Sequence, residues 1–379
     1  MRYYIVTGEH SGDIHGADLI TEIKKIDHQA HFWSCGGPLM QKAMGAPCMV
    51  NATEMAYMGL DFLKKFYKLW KLLEYCKQSL IEYRPNVVIL IDYSGFNMRL
   101  ASFAQHNGFQ IYYYIPPKIW AHGAKRIERI KRDIQKVFST LPFEAAYYRE
   151  HGFLNTYYVG NPLVKKVSSH IINPLFKKEN ALDQRPIIAL LPGSRIDEVR
   201  RILPIITAGA AHFTSYQLIV AGLSHLPKGL YQTFNATNIK VVFDQTYDLL
   251  AAAQVGIIAS GTASLEAALF NLPQIVVYKT SPLTHFIYKR ITTIDCISLV
   301  NLLVGKIVVP ELIQHELTPQ NLRKTLTMVL HETCNQQLSI YHHIRNILGK
   351  EEAPLQTAKS IVESIKTHIS VNHKKGTDA

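Results

Sequence analysis

Short apolar runs recur along the chain, separated by stretches in which apolar residues return at helical spacing. Residues 3–7 predict a strand, followed by a glycine-containing turn and a helix over 13–25. Residues 31–35, 87–91, 110–115 and 136–139 predict further strands, with a helix near 98–107. Strands that alternate with helices imply a parallel, doubly wound sheet. A polar stretch over 164–184 reads as an interdomain link. The pattern then restarts: 187–191, 217–221, 239–243, 255–259 and 274–278 are strand-like, with a helix over 262–270. The expected fold class is therefore α/β, with two doubly wound Rossmann-like domains, one over 1–163 and one over 185–344. Two such halves make a cleft between them the expected ligand site.

Composition narrows this. The chain has 379 residues, 47% hydrophobic and 18% charged, a globular balance with enough length for two cores. No apolar run approaches the ~20 residues needed to span a bilayer. Arg2 is followed at once by Tyr3-Tyr4-Ile5-Val6, a strand pattern without the long apolar region of a signal peptide. A cytoplasmic location is the expectation. Five scattered cysteines form no CxxC pair, so reduced, packed thiols are expected. A net charge of +12 favours an anionic partner, whether nucleic acid, acidic lipid or a phosphorylated substrate.

Four turns sit where strands run into helices. Gly8-Glu9-His10-Ser11-Gly12-Asp13 admits a tight turn and close approach of a ligand to backbone, which makes Glu9, Ser11, Gly12 and Asp13 candidates for binding. Helix capping by Ser11 or Asp13 is the alternative. Asp92 ends an almost wholly apolar strand, where a carboxylate could deprotonate an attacking hydroxyl or simply cap the next turn. Pro192-Gly193-Ser194-Arg195 is a natural phosphate seat, with backbone N–H groups and a guanidinium. Ser260-Gly261-Thr262 opens another helix, with Glu266 one turn in, placed to accept from both ribose hydroxyls of a nucleotide. Capping is again the alternative for these two.

A fifth feature is the basic amphipathic stretch 61–76. At about 100° per residue, Lys64, Lys65, Lys68 and Lys71 fall on one arc, with Phe62, Phe66, Leu69, Trp70, Leu73 and Cys76 opposite. Such a helix fits a lipid interface or an ordinary core with a solvated lysine face. The histidines form no HExxH and no other metal constellation, so no metal is expected.

Taken in order, the motifs resemble the lipid-A-disaccharide synthases over nearly the whole chain. The resemblance runs through Gly8 to Asp13, Met58-Gly59, Ile91-Asp92 with Phe96-Asn97, Tyr114 with Pro117 and Trp120-Ala121, and Leu141-Pro142-Phe143-Glu144. It continues through Leu190 to Arg195, Ser260 to Ala263 with Leu265-Glu266, and Ser298 to Leu303 leading to Pro310-Glu311-Leu312. This chain departs from the commoner pattern at Ser94-Gly95, Pro116, His122 and Val300. The resemblance implies a GT-B fold and an inverting glycosyl transfer that needs no metal and no cofactor. It implies a UDP-2,3-diacylglucosamine donor and a 2,3-diacylglucosamine 1-phosphate (lipid X) acceptor, giving a β-1,6 disaccharide 1-phosphate and UDP. Asp92 would be the base; Arg195, residues 260–266 and Asn301 would hold the donor. A helix at about 345–370 would pack back on the first domain. The enzyme would sit peripherally on the inner face of the inner membrane, on an anionic surface, and a homo-oligomer stays open.

Two rivals remain at this level. One is a UDP-sugar 2-epimerase of the same architecture, which needs no acceptor. The other is a non-enzymatic nucleic-acid-binding protein, suggested by charge alone. No nucleic-acid motif or stacking surface accompanies the lysines, so no nucleic-acid partner is expected.

Overall fold

The structure is a computed structural model, and it describes residues 1–48, 50–51, 62–121, 126–232, 239–281 and 296–377. Met58-Gly59 and His122 lie outside these, as do the side chains of Phe62, Lys64, Lys65 and Phe66. The chain divides into two compact units, Met1–Pro162 with Lys350–Ala379, and Leu163–Gly349.

The strands of the first unit are β1 (Arg2–Val6), β2 (His31–Gly36), β3 (Val50–Asn51), β4 (Val87–Ile91), β5 (Ile111–Tyr114), β6 (Lys136–Ser139) and β7 (Thr156–Tyr158). They pair in the order β3-β2-β1-β4-β5-β6-β7, and every pairing is parallel. Alternate residues of β1 explain why both faces are covered. Tyr4 and Val6 pack with Leu72, Leu73, Cys76 and Leu80 of the helix Phe62–Tyr83. Tyr3 and Ile5 pack with Leu19 and Ile23 of the helix His10–Ile26 and with Ile361 and Ile365 of the helix Ala353–Thr377. A parallel strand buried on both faces must read as a continuous apolar run, as β4 does with Val-Val-Ile-Leu-Ile. Each such side chain contributes about 1.5–3 kcal/mol when fully buried.

The second unit repeats the plan. Its strands are β8 (Ile187–Leu191), β9 (Gln217–Gly222), β10 (Ile239–Phe243), β11 (Val255–Ala259), β12 (Gln274–Tyr278) and β13 (Glu311–Ile313). Their order is β10-β9-β8-β11-β12-β13, again parallel. The polar stretch read as a link is built into this unit, where Phe176 is buried with Ile187, Leu249 and Ala267. The three strands the periodicity missed, β3, β7 and β13, are edge strands of two or three residues, too short to carry a periodic signal.

The helix Phe62–Tyr83 corrects the expected wheel. Trp70 does not join the core face; it is 52% exposed, and Tyr67 beside it is 55% exposed. The core face is made by Leu72, Leu73, Cys76 and Leu80, with Leu69 packed against it. Trp70 lies about 60° further round than Leu73, which leaves it outside that arc. Its ring stacks on Tyr67 at 6.3 Å, and Lys71 Nζ sits 4.7 Å from the Tyr67 ring centre.

One buried carboxylate ties together the turns beyond β5 and β6. Glu144 accepts from Trp120 Nε1 at 2.9 Å and from Ser139 Oγ at 2.5 Å. Tyr148 Oη donates to the Pro117 carbonyl at 2.8 Å in the same turn. Burial pushes the Glu144 carboxyl up from 4.5 to about 7, against the opposing pull of those two donors and Lys118. A group easier to protonate when folded stabilises the fold fully below pH 4.5 and loses that contribution as pH rises through 7. Glu144→Gln removes the titration. Denaturant unfolding at pH 5 and pH 8 should show the variant gaining about 2–3 kcal/mol on wild type across that interval. Parallel pH dependences of the two proteins would refute this.

Candidate functional site

In each sheet the strand order reverses direction at one place, and open α/β sheets bind ligands there, beyond the carboxyl ends of the strands. In the first unit that place lies between β1 and β4. Val6 pairs with Leu90, so the turn after β1 and the turn after β4 emerge side by side. They touch: a side chain on Gly8 would collide with the Tyr93 ring. Asp92 and Tyr93 both have left-handed backbone, φ 48° and 45°. Such a conformation is costly for non-glycine residues and persists only when its surroundings fix it. Here the Asp92 carbonyl accepts from Tyr113 Oη at 2.5 Å and from Asn97 Nδ2 at 2.8 Å. The backbone is thereby clamped, and the half-buried side chain of Asp92 is left at the strand end.

Within the Gly8–Asp13 turn the expected residues part company. Glu9 and Ser11 are exposed, and Gly12 is buried against Thr7. The Asp13 side chain faces the interior. It is fully buried, and its carboxylate accepts from the backbone N–H groups of Gly37 at 2.8 Å, Leu39 at 3.0 Å and Met40 at 3.0 Å. It thus supplies, from another element, the cap that the N-terminus of the helix Pro38–Met44 lacks.

In the second unit the reversal lies between β8 and β11. A cavity of about 340 Å³ opens there, lined by Gly193, Ser194, Arg195, Ser260, Gly261, Thr262 and Glu266. The structure therefore brings two separate motifs onto one site. Gly193 has φ 116°, and a Cβ there would meet Glu198 Cβ at 2.8 Å, so only glycine fits the turn. Ser194 N–H donates to Glu198 Oε2 at 3.1 Å, and Arg195 Nη1 stands 3.4 Å from Glu198 Oε1. The Arg195 side chain is 78% exposed, so this pair is weak and leaves the guanidinium available to an anion. The helices Ile196–Ala210 and Thr262–Leu269 both begin at the cavity, adding free N–H groups and two positive dipole ends. Ser260 Oγ donates to the Ile297 carbonyl at 3.1 Å.

Asn301, expected to hold the donor, also faces the interior. It is fully buried and all its amide bonds are used within the protein. Its Nδ2 donates to Val309 O at 2.9 Å and Glu311 Oε1 at 2.7 Å, and its Oδ1 accepts from Val308 and Val309 N–H. It closes the loop that leads into β13 instead of lining the cavity. Sequence reasoning also missed Ala221, Leu223, Thr246 and Glu198, which belong to the lining. Leu223 and Thr246 follow β9 and β10 closely, so their place at carboxyl ends of strands was the available signal.

The described residues hold no group of three or more His, Cys, Asp or Glu side chains arranged for a metal. What the cavity offers is an anion seat beside a carboxylate.

A family model described as lipid-A-disaccharide synthetase matches residues 3–364. The lipid-A-disaccharide synthase of Syntrophus aciditrophicus (strain SB) is 33% identical over 377 residues, covering 96% of this chain and 97% of that one. Among solved structures, UDP-GlcNAc 2-epimerase from Neisseria meningitidis, bound to UDP-GlcNAc, superposes with a TM-score of 0.64 over 97% of this chain and 100% of that one, at 13% identity. The calicheamicin glycosyltransferase CalG4 gives 0.63 over 97% and 99%, also at 13% identity. At that identity the last two show only the shared fold, two Rossmann-like domains of GT-B type. The whole-length family match and the relative at 33% identity carry more: this chain belongs to the lipid-A-disaccharide synthetase family.

Proposed function

We propose that this chain transfers 2,3-diacylglucosamine from its UDP derivative to 2,3-diacylglucosamine 1-phosphate, with UDP held in the second unit and Asp92 acting on the acceptor. The observation that carries the reading is the cavity between β8 and β11, where Arg195, two helix N-termini and Glu266 converge. The acceptor hydroxyl oxygen bonds to the sugar C1 on the face opposite UDP. The C1–O bond to the β-phosphate breaks and its electron pair leaves with UDP. The hydroxyl proton passes to the Asp92 carboxylate. Arg195 and the helix dipoles stabilise the charge that develops on the leaving diphosphate, where fixed donors act most strongly.

Both substrates carry acyl chains, so the enzyme must meet them at a bilayer. Among the described residues no helix is long and apolar enough to cross a membrane. The outward face of the helix Phe62–Tyr83 has the make-up of a lipid contact: Tyr67 and Trp70 are exposed and flanked by exposed Lys68 and Lys71. We read this face as resting on an anionic membrane surface.

Three outcomes test the proposal. Asp92→Asn keeps the shape of the side chain and removes its basicity, so UDP release from the donor and lipid X should fall roughly 10²–10⁴-fold with the fold unchanged. Near-normal turnover would exclude the role, and donor consumption without lipid X would overturn the transfer reading. Arg195→Ala should weaken UDP binding by about 1.5–3 kcal/mol in calorimetry, the range for hydrogen bonds to charged groups. Unchanged affinity in both Arg195→Ala and Glu266→Ala would move the donor site elsewhere. Co-sedimentation with anionic vesicles should lose its salt-sensitive part in Lys68→Gln/Lys71→Gln, at about 1 kcal/mol per lysine, and its salt-resistant part in Trp70→Ser. Wild-type sedimentation in both variants would remove this face from the interface.

A further inference from the structure

Tyr247 stands beside the cavity without having been assigned a role. It is the second residue of the helix Thr246–Ala252, next to the cavity-lining Thr246. Its hydroxyl donates to Glu266 Oε1 at 2.6 Å. Glu266 lies on a different helix, Thr262–Leu269, so the bond joins two elements that both begin at the cavity. Burial, and then the neighbouring Glu266 carboxylate, hold the Tyr247 phenol well above its ordinary range, so the ring remains a donor at any working pH.

The tyrosine ring is itself braced. His170 packs edge-on against it with centroids 5.3 Å apart, Phe270 does so at 5.1 Å, and Lys166 Nζ lies 5.1 Å from its centre. His170 is fixed in turn by Asp248, which takes its Nε2 at 3.0 Å and the backbone N–H of Asn173 at 2.8 Å. Residues 166–173 belong to the polar stretch that reads as a link in the sequence. From it, Lys166 and His170 pack against the Tyr247 ring.

We propose that Tyr247 is a positioning residue that orients the Glu266 carboxylate toward the ribose hydroxyls of the bound nucleotide. The proposal rests on the reading of the cavity as a UDP site. A glutamate on a helix has several rotamers, and ordering it on binding weakens any bond it makes. The tyrosine does that ordering in advance. One hydrogen bond at Oε1 still leaves most of the carboxylate's roughly four acceptor positions open. Ordering therefore outweighs the small loss of acceptor strength.

The test is calorimetric titration of the full chain with UDP and with 2′-deoxy-UDP, on wild type, Tyr247→Phe, Glu266→Ala and the double variant. Wild type should prefer UDP, and Glu266→Ala should erase the preference. Tyr247→Phe should cut the preference about tenfold, with 2′-deoxy-UDP, which keeps only the 3′ hydroxyl, weakened less than UDP. The double variant should behave as Glu266→Ala alone. If Glu266→Ala keeps the preference, the ribose reading itself fails and the positioning role falls with it. If Glu266→Ala erases it but Tyr247→Phe retains it, the ribose reading stands and the role of Tyr247 is overturned. Equal losses for both nucleotides in Tyr247→Phe would likewise overturn it, since a merely structural ring has no means of sensing the 2′ hydroxyl.

Discussion

Covering both faces of a parallel sheet is the constraint on which the rest of this protein depends. The strands β1, β4, β8 and β11 carry side chains buried on each side, so helices must lie against both faces of both sheets. Parallel strands then require every crossover to return to the same end. The faces are closed to solvent, and polar work is confined to the edge where strands end and helices begin. Asp92 follows β4 and Arg195 and Ser260 follow β8 and β11 for that reason.

At that edge, the polar groups divide by whether the fold already uses them. A buried donor or acceptor without a partner costs about 1–3 kcal/mol, so most buried polar side chains are matched inside the protein. Asp13, Glu144 and Asn301 are such groups, each taking hydrogen bonds that hold a turn or a loop. Glu311 belongs with them, accepting from the N–H groups of Ile297 and Ser298 and from Asn301. Arg195 and Glu266 differ. Arg195 is mostly exposed, and Glu266 lines the cavity while bonded to Tyr247 through one oxygen. The groups left for a ligand are the ones the scaffold holds without exhausting.

The same division explains the helix Phe62–Tyr83. Its leucines serve the sheet, and Tyr4 reinforces the contact by donating to the Cys76 carbonyl at 2.7 Å and meeting Ser79 Oγ at 2.8 Å. Tyr67 and Trp70 are surplus to that packing. Two large aromatic side chains left on a lysine-bearing surface have amphipathic character suited to an interface.

Strand positions were legible because each central strand is a local apolar run: β4, β6, β8, β10, β11 and β12 match their expected bounds. The turns were legible too, since glycine and small residues at a strand-to-helix junction have a local cause. The sequence by itself therefore determined the two doubly wound halves and the turns at which chemistry could occur. It did not determine which polar residue in a turn is free. Asp13 and Glu266 each sit near the start of a helix and are alike to any local rule. What separates them is that Asp13 meets the N–H groups of Gly37, Leu39 and Met40, while Glu266, among the described residues, meets a single hydroxyl from Tyr247. Those partners lie 19 to 27 residues away and on other elements. Only tertiary packing brings them within hydrogen-bonding distance, and so only the folded chain decides which carboxylate closes a turn and which can face a ligand.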